Sequence, residues 1–600
     1  MDQGIYVITL IGTVLVLIAA FSSLIAFRFG APLLLIFLGI GLAAGTDGLG
    51  LDFDNASAAY FVGSLALAVI LFDSGFGTSI SAFRSAAAPA VVLATVGVML
   101  TAGLVGVAAH FVAGFDWLQS FLLGATVAST DAAAVFFLLR VGNIFVRERV
   151  RSTLEVESGS NDPIAIFLTL SLVGLIATGT PLEPAKLAGE VAMGFLQQMG
   201  IGLLAGIAGG YVIVRLVIRL NLDQGLIPIL VLALSLLVFA LAGAIGGSGF
   251  LAVYVAGLVA GNGRLRSTAA IKRFQDGVTW LAQIIMFLVL GLFATPSQFA
   301  ELAVPALVLG LFLIFVARPL AVTLCLMPFR FSRAETAFIS WVGLRGAVSI
   351  LLAITPLIDE LEGGRALFNI VFIIVLVSLM VQGWTVGPLA RRLNMVVPPR
   401  LGPLNKVELE LPGSAHHELL AYRVVPGSPV ERGQRIPRWA RPSLVVRDGR
   451  SMTYQYAGRL MAGDHVYIFV PDRYPRLLDR LFASPAEMDP EDADFFGAFS
   501  VDPDRPAADI EAAYAPGLSD KEQAMSIAEF MRKRLGGRAE YGDRVTLGNI
   551  ELIVRDVDEN GGIAAVGLSV DPPASPTPVP VFLSIGEAAS RLRSMLKRRS

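Results

Sequence analysis

The segment ESGSNDPIAIFLTLSLVGLIA (residues 157–177) joins a polar heptapeptide to an apolar run, and it limits the folds that the chain can adopt. A helix needs about 20 residues to cross the hydrocarbon core of a membrane, and this segment has that length. A charge in hydrocarbon is costly unless it is paired or functional. The carboxylates of Glu157 and Asp162 therefore need an explanation at this position.

Helical spacing groups the polar residues of this segment. Glu157 and Asn161 are four residues apart and share a helix face. Ser158 and Asp162 share the neighbouring face, so the four side chains form one polar stripe. Pro163 lacks a backbone N–H and leaves a nearby carbonyl oxygen free. Two interpretations stay open: an ion-binding stripe, or a capping cluster at a helix start, which Ser, Asn and Asp favour.

The composition of the whole chain is that of a membrane protein. Of its 600 residues, 55% are hydrophobic and 16% charged, and the mean hydropathy is +0.70. The net charge of -2 provides no concentrated basic surface, which excludes nucleic acid as a partner. A single cysteine, Cys325, cannot form an intrachain disulfide, and the histidines lack zinc-hydrolase spacing. We therefore expect no cofactor, no metal centre and no enzymatic activity.

Apolar runs follow one another along residues 1–395, separated by short polar breaks. We predict an all-α polytopic membrane domain of about thirteen helices, because each run is long enough to cross a bilayer. The predicted spans are 5–27, 31–47, 59–79, 87–112, 118–140, 157–178, 190–219, 225–243, 246–262, 276–296, 303–327, 335–357 and 366–393.

Basic residues lie in alternate loops of this domain. Loops that contain Arg147, Arg330 or Arg391 alternate with loops that contain mainly Asp and Glu. Lys and Arg accumulate in cytoplasmic loops. The pattern predicts a multi-pass protein of the cell (inner) membrane, with its N-terminus outside and its C-terminal region in the cytoplasm.

Three further ionisable residues lie within the predicted spans. Asp131, in LLGATVASTDAAAVFFLL, is near the middle of its helix beside Thr130, and a mid-membrane acid indicates a functional site. Arg345, in SWVGLRGAVSILLAI, needs a carboxylate partner, and we expect that partner to be Glu157. Asp73, near the end of the third span, is either an accessory site residue or a membrane-edge residue.

The positions of these residues suggest an internal repeat. If the seventh span is a connector, spans 1–6 and 8–13 form two halves. Asp131 and Arg345 then both fall in the fifth span of their half. Matching interrupted helices in two repeats point to a transporter with a midplane ion site where they cross.

After residue 400 the composition becomes that of a soluble α+β protein. We predict two small cytoplasmic domains, at residues 402–485 and 511–600, joined by a polar linker at 486–510. No glycine-rich strand-to-helix turn precedes either domain, which argues against a dinucleotide site.

The motifs STDAAAVFF (129–137), ESGSNDP (157–163) and GLRGAVS (343–349) resemble the signatures of NhaP-type monovalent cation/proton antiporters. The resemblance covers the membrane region. The stretches at 418–436 and 462–470 resemble a TrkA-C module, the C-terminal part of RCK domains, and residues 542–568 resemble a CorC/HlyC transporter-associated module. This combination is most similar to the bacterial potassium/proton antiporters of the family.

The resemblance implies an NhaA-like inverted repeat with crossed discontinuous helices, a homodimer in the lipid bilayer, and alternating access. Asp162 would be the essential carboxylate, for which a proton competes with K⁺ or Na⁺. The implied supporting residues are Asp131, Thr130, Ser158 and Asn161, with Glu157 and Arg345 as a structural ion pair and Asp73 as an accessory residue. Electrogenic relatives carry a second Asp at the place of Asn161, so the resemblance implies electroneutral exchange.

Two other functions stay open at this point. A potassium channel-like protein could also use RCK-type regulation, although no TVGYG-like filter loop occurs. A membrane sensor could keep the transporter scaffold and bind a small-molecule effector at the cytoplasmic domains. The antiporter is the preferred hypothesis, because a desolvated carboxyl group that holds either a proton or a cation couples the two ions directly.

Overall fold

The computed structural model divides into two compact units, Met1–Pro399 and Arg400–Ser600. It describes residues 2–29, 32–142, 144–178, 184–220, 222–223, 225–263, 265, 268–397, 405–409, 417–433, 436–437, 440–471, 478–479, 481–482, 497, 499–537, 539, 542–548, 550–558 and 562–570.

The first unit is built from helices, which confirms the predicted fold class. They are α1 (Asp2–Phe29), α2 (Leu33–Ala44), α3 (Ala56–Gly77), α4 (Ile80–Val92), α5 (Val98–Ala113), α6 (Trp117–Thr126), α7 (Ala132–Val141), α8 (Glu148–Thr178), α9 (Pro184–Arg219), α10 (Leu226–Ala244), α11 (Gly249–Gly261), α12 (Thr268–Phe293), α13 (Ala303–Phe312), α14 (Arg318–Leu326), α15 (Arg333–Trp341), α16 (Ala347–Leu352), α17 (Thr355–Ile358) and α18 (Gly364–Arg392).

Within the described residues, eight helices are long and apolar enough to cross a membrane, and four shorter apolar helices accompany them. Every predicted span coincides with a helix or with a group of consecutive helices. The number that crosses the membrane stays a prediction.

Helix α8 begins earlier than predicted. It starts at Glu148, so Glu157 lies in its third turn and Pro163 lies inside it. The predicted start at residue 157 was wrong because the charged residues before it lower the hydropathy without ending the helix. ESGSNDP is therefore an internal segment of a long helix, and the capping interpretation does not apply to it.

Two helices of the first unit are interrupted, in the two spans where Asp131 and Arg345 led us to expect it. Residues 127–131 separate α6 from α7, and residues 342–346 separate α15 from α16. The backbone N–H of Asp131 donates a hydrogen bond of 2.8 Å to the carbonyl oxygen of Leu344. The two breaks thus lie against each other, and the predicted crossing of discontinuous helices is confirmed.

A second pair of irregularities also occupies matching positions in the two halves. A π-helical turn at Leu93–Gly97 joins α4 to α5 in the fourth span, and one at Leu313–Ala317 joins α13 to α14 in the eleventh. The first π turn contacts α14, and the second contacts α5. Such π turns are rare inside α-helices and are frequent at functional sites. Their matching positions are consistent with a repeat of six helices.

A short strand pair joins the loop between α7 and α8 to the end of the unit. Strand β1 (Phe145–Val146) pairs antiparallel with β2 (Val396–Val397). The N–H of Arg147 adds a hydrogen bond of 3.1 Å to the carbonyl oxygen of Met395, which is fully buried. The segment that follows α18 is thereby attached to the connection between two helices that flank the predicted site.

The second unit contains two antiparallel sheets. In the first, the order is β3–β4–β7–β5–β6. Its strands are β3 (Asn405–Leu409), β4 (His417–Arg423), β5 (Arg441–Arg447), β6 (Arg450–Thr453) and β7 (His465–Pro471), and α19 (Tyr454–Ala457) follows β6.

In the second sheet the order is β8–β11–β10–β9. Its elements are β8 (Phe499–Val501), α20 (Ala508–Tyr514), α21 (Asp520–Gln523), α22 (Ile527–Arg534), β9 (Arg544–Leu547), β10 (Ile550–Val557) and β11 (Ile563–Ser569).

The predicted linker at 486–510 is too long at its C-terminal end. Strand β8 pairs with β11, with Val501 opposite Val566, so the second sheet includes residues before 510. This pairing uses backbone groups, which the polar composition of the segment does not reveal. The remaining linker residues, 486–496, lie outside the described residues, as do residues 571–600 of the last predicted domain.

Candidate functional site

Asp162 lies near the middle of α8 and is 5% exposed. Its carboxylate accepts a hydrogen bond from the hydroxyl of Ser129, which belongs to the break between α6 and α7. An interrupted helix exposes backbone carbonyl and amide groups that an intact helix would pair internally. Asp162 therefore faces the polar, non-helical backbone of a break in the interior of a helical bundle, which is an environment suited to an ion.

Two neighbours of Asp162 attach α8 to the same break. The Asn161 amide, fully buried, donates a hydrogen bond of 2.7 Å to the Thr130 hydroxyl. Ser158 donates to the Thr130 carbonyl oxygen at 3.0 Å and accepts from the N–H of Ala132 at 3.1 Å. The polar stripe predicted on α8 thus packs against the break, with Ser158, Asn161 and Asp162 each bonded to it.

Asp131 connects the two breaks. Its carboxylate accepts the N–H of Ala134 at 3.0 Å and thereby caps the start of α7. A Cβ atom added at Gly346 would lie 2.4 Å from a carboxylate oxygen of Asp131. Only glycine fits at position 346 in this arrangement, which explains the second glycine of the GLRGAVS motif.

Arg345 is 1% exposed and points into the first break. Its guanidinium donates to the carbonyl oxygens of Ala128 and Ser129. These carbonyls follow the C-terminal end of α6, where the helix dipole favours a cation. Arg345 therefore stabilises the unwound backbone of the opposite helix.

The predicted ion pair between Glu157 and Arg345 was wrong. Glu157 is paired with Arg318, with 2.6 Å between the charged atoms and side-chain exposures of 1% and 3%. Arg345 instead donates its hydrogen bonds to carbonyl oxygens of the break between α6 and α7. Arg318 is the first residue of α14 and directly follows the second π turn. The sequence contained a signal for Arg318, because it is an arginine within the predicted span 303–327, as Arg345 is within its own span.

The charges of the cluster around Asp162, in which Asp131 is partly buried and the other members are buried, do not balance. Its carboxylates are Glu157, Asp131 and Asp162, and its guanidinium groups are Arg318 and Arg345. With all five ionised the sum is 2 − 3 = −1. A single negative charge in a low-dielectric interior requires one proton or one monovalent cation to neutralise it. The cluster therefore has the charge of a site for one such ion.

Tyr254 of α11 is a site neighbour that sequence analysis missed. It is 2% exposed, and a Cβ added at Gly159 of α8 would lie 2.2 Å from its ring. The glycine of ESGSNDP therefore allows α11 to approach α8 beside the polar stripe. Aromatic residues are common in apolar spans, so no pattern in the sequence distinguished this one.

Asp73 lies in the last two turns of α3 and is half-buried. Helix α3 packs closely against α11, which carries Tyr254. The accessory role of Asp73 stays a prediction.

Comparisons with known proteins identify similar sequences and a similar structure. Residues 14–392 match the family described as sodium/hydrogen exchanger, transmembrane. The chain is 40% identical to the K(+)/H(+) antiporter NhaP of Alkalimonas amylolytica, over 94% of this chain and 99% of that protein. It is 39% identical to the K(+)/H(+) antiporter NhaP2 of Shewanella oneidensis, over 93% and 97%. The structure of the sodium proton antiporter MjNhaP1 from Methanocaldococcus jannaschii matches with a TM-score of 0.56 and 25% identity, over 64% of this chain and 98% of that one.

Proposed function

Because the chain belongs to the sodium/hydrogen exchanger family, a family of multi-pass membrane transporters, we propose that it exchanges a monovalent cation for a proton, with both ions competing for Asp162. The observation that carries this proposal is the position of Asp162. It is buried in the middle of α8, it faces an interrupted helix, and it belongs to a cluster with one excess negative charge.

Competition couples the two ions. A buried carboxylate without a counter-charge is unstable, so Asp162 holds either a proton or a cation. Cation binding uses oxygen ligands, which Asp162, Asp131 and the hydroxyls of Ser129 and Thr130 can supply. After one ion leaves Asp162 on one side of the membrane, the other ion must bind there before the site can turn to the opposite side. The protein therefore exchanges the two ions.

Electroneutral exchange follows from the single excess charge. Asn161 occupies the position beside Asp162 and donates to Thr130, so it contributes geometry and no charge. One proton therefore replaces one cation. Potassium is the proposed ion, because the two relatives cited above at about 40% identity are named as K⁺/H⁺ antiporters, with sodium as the second candidate.

Alternating access would use the crossing of the two breaks. Asp131 is bonded to Leu344 across the crossing, and Arg345 is bonded to the carbonyls of residues 128 and 129. A displacement of either broken helix therefore moves the oxygen atoms that would bind the cation together with Asp162. The basic loops support an N-terminus outside and a C-terminal unit in the cytoplasm of a cell with an inner membrane, and the resemblance supports a homodimer.

Regulation by the C-terminal unit would act through the strand pair β1–β2. Strand β2 precedes that unit in the chain, and β1 lies between α7 and α8. A small-molecule effector of the C-terminal domains would thus have a route to the site. We expect truncation after residue 400 to change the exchange rate or its pH dependence. Val397→Pro in the full chain, which removes a backbone donor from the pair, should have the same effect. Unchanged exchange in both variants contradicts this route.

The proposed function is tested by Asp162→Asn in inverted membrane vesicles. We expect the variant to lose proton movement driven by added potassium or sodium. The control is Asp116→Asn, which makes the same chemical change at an exposed position before α6 and should exchange normally. Exchange that persists in Asp162→Asn refutes the assigned role, and flux that ignores a pH gradient in the parent protein favours a channel.

A further inference from the structure

A groove of about 560 Å³ lies between α14 and α15, away from the ion site. We name it the α14–α15 groove. Its lining residues are Pro319, Thr323, Leu326, Met327, Phe331, Arg333, Thr336, Ala337, Ser340 and Trp341.

The walls of the groove are mostly apolar and open outwards. Met327, which directly follows α14, is 81% exposed, and Leu324 of α14 is half exposed. Both residues belong to the apolar segment Ala303–Phe329, which has the length of a membrane span. Pro319 and Met327 are eight residues apart, so the groove extends about 12 Å along this segment at 1.5 Å per residue. The mostly apolar walls of this part of the groove favour an apolar occupant.

One end of the groove carries an uncompensated cation. Arg333, the first residue of α15, is exposed, and no ion pair or side-chain hydrogen bond of Arg333 occurs within the part of the chain that the structure describes. The nearest carboxylate in sequence, Glu335, is engaged by the N–H of Ser332 at 2.9 Å and by Arg147 at 3.6 Å. Arg330, three residues earlier, is also exposed and adds a second positive charge.

A third arginine packs against this end and adds no negative charge to it. Arg149 donates to the carbonyl oxygen of Phe329 at 2.7 Å and stacks 3.9 Å from the ring of Phe331. Phe331 is itself a lining residue. The end of the groove is thus a fixed structure that presents positive charge beside an apolar channel.

We propose that the α14–α15 groove binds an anionic phospholipid. The phosphate of its headgroup contacts Arg333, with Arg330 nearby, and one acyl chain lies along α14 towards Pro319. Basic pockets between transmembrane helices are suited to anionic headgroups. Charge complementarity and the apolar walls favour this occupant over a soluble anion, which would leave the walls exposed, and over a neutral lipid, which would leave the cations unpaired.

The groove has a connection to the ion site. Pro319 of the wall follows Arg318, the partner of Glu157. Trp341 of the wall is the last residue before the break, and its carbonyl oxygen accepts the Gln382 amide at 2.7 Å. The side-chain amide oxygen of Gln382 accepts a hydrogen bond of 2.6 Å from the Ser378 hydroxyl, and that hydroxyl accepts the backbone N–H of Arg345 at 3.0 Å. A lipid that holds Trp341 in place therefore also holds the break that positions Arg345.

Binding is tested on the purified full chain, with thermal unfolding in neutral detergent as the readout. We expect added phosphatidylglycerol to raise the unfolding temperature more than phosphatidylcholine does. Arg333→Gln should weaken the apparent affinity for phosphatidylglycerol about fivefold, which corresponds to about 1 kcal/mol for a basic residue near an anionic lipid. The matched control is Arg392→Gln, which removes an exposed arginine in the last turn of α18. It should leave the affinity unchanged.

A second variant tests the groove itself. Ala337→Phe fills it without changing charge and should reduce phosphatidylglycerol binding to the level of phosphatidylcholine. Equal losses in Arg333→Gln and Arg392→Gln, or normal binding in Ala337→Phe, overturn the proposal. Met327→Cys in a Cys325→Ser background provides a third test, because cross-linking to a second copy through this cysteine identifies the groove as a protein interface and also overturns it.

These binding measurements do not depend on the proposed transport function. The effect on transport rests on that function and is measured separately, as exchange by protein in vesicles of phosphatidylcholine alone or with equal parts of phosphatidylglycerol. We expect the exchange rate of the parent protein to differ between the two vesicle compositions. The exchange rate of Arg333→Gln should be the same in both. Lipid binding without any exchange in either vesicle refutes the antiporter and leaves the binding site established. A lipid effect on exchange that persists in Arg333→Gln refutes the proposed coupling through the groove.

Discussion

Replacing Arg318 by glutamine tests the buried ion pair that the structure assigns to Glu157. The two side chains are at most 3% exposed and their charged atoms are 2.6 Å apart. Removing one partner leaves the other charge uncompensated in the protein interior, which costs about 3–5 kcal/mol. We expect Arg318→Gln and Glu157→Gln each to lower the free energy of unfolding by this amount.

The double variant separates pairing from packing. With both charges removed, neither member of the pair is left without its partner, so the cost of the double variant should fall below the sum of the two single costs by about 2 kcal/mol or more. The assay is unfolding of the purified protein in mixed micelles with increasing sodium dodecyl sulfate, followed by circular dichroism. Arg365→Gln serves as control because Arg365 and Asp54 form a partly exposed pair at 3.4 Å, which should contribute less than about 1 kcal/mol.

Two results would refute the reasoning. The first is additivity of Arg318→Gln and Glu157→Gln within about 0.5 kcal/mol, which means that the residues do not interact. The second is a larger coupling of Glu157 to Arg345 than to Arg318. That result would restore the pair that the sequence predicted and would place Arg345 away from the carbonyls of the first break.

Two further predictions concern other parts of the chain. Gly346→Ala should abolish cation/proton exchange in the vesicle assay, because the added Cβ would lie 2.4 Å from an oxygen of Asp131. The control is Gly277→Ala on α12, whose added Cβ meets no atom within 4 Å and which should transport normally. In the C-terminal unit, the hydrogen bond from Arg447 lowers the pKa of Asp464. The ionised Asp464 therefore stabilises the first sheet at pH values above the ordinary aspartate pKa. This stabilisation is lost as the pH falls below about 4. The measurement is hydrogen exchange of the β7 amides in the full chain, corrected for intrinsic rates. Exchange should accelerate on acidification in the parent protein and depend less on acid in Asp464→Asn. Equal acid dependence in the two proteins would contradict this role.

The main parts of the site could be predicted from polar residues in apolar spans. A polar side chain in hydrocarbon needs a partner, so ESGSNDP, Asp131 and Arg345 had to meet other polar groups. The structure places them together, with Asn161 bonded to Thr130 and Asp131 bonded to Leu344.

The choice of partners could not be predicted in the same way. Glu157 had two candidate arginines, and the choice depends on where the broken helix directs Arg345, which is a property of tertiary structure. Arg318 itself was overlooked although the same rule applied to it. The start of α8 was misplaced because hydropathy detects lipid contact and not helicity, and the π turns have no sequence signature that we could use.

The apparent affinity for potassium as a function of pH is the most direct test of competition at Asp162. The measurement uses purified protein in vesicles and records initial exchange rates over a range of potassium concentrations at several pH values. If one proton and one cation compete for one carboxylate, each unit of acidification below the pKa of the site raises the apparent KM about tenfold and leaves the maximal rate unchanged. A pH-independent KM with a falling maximal rate would contradict the account, because proton and cation would then bind at different places.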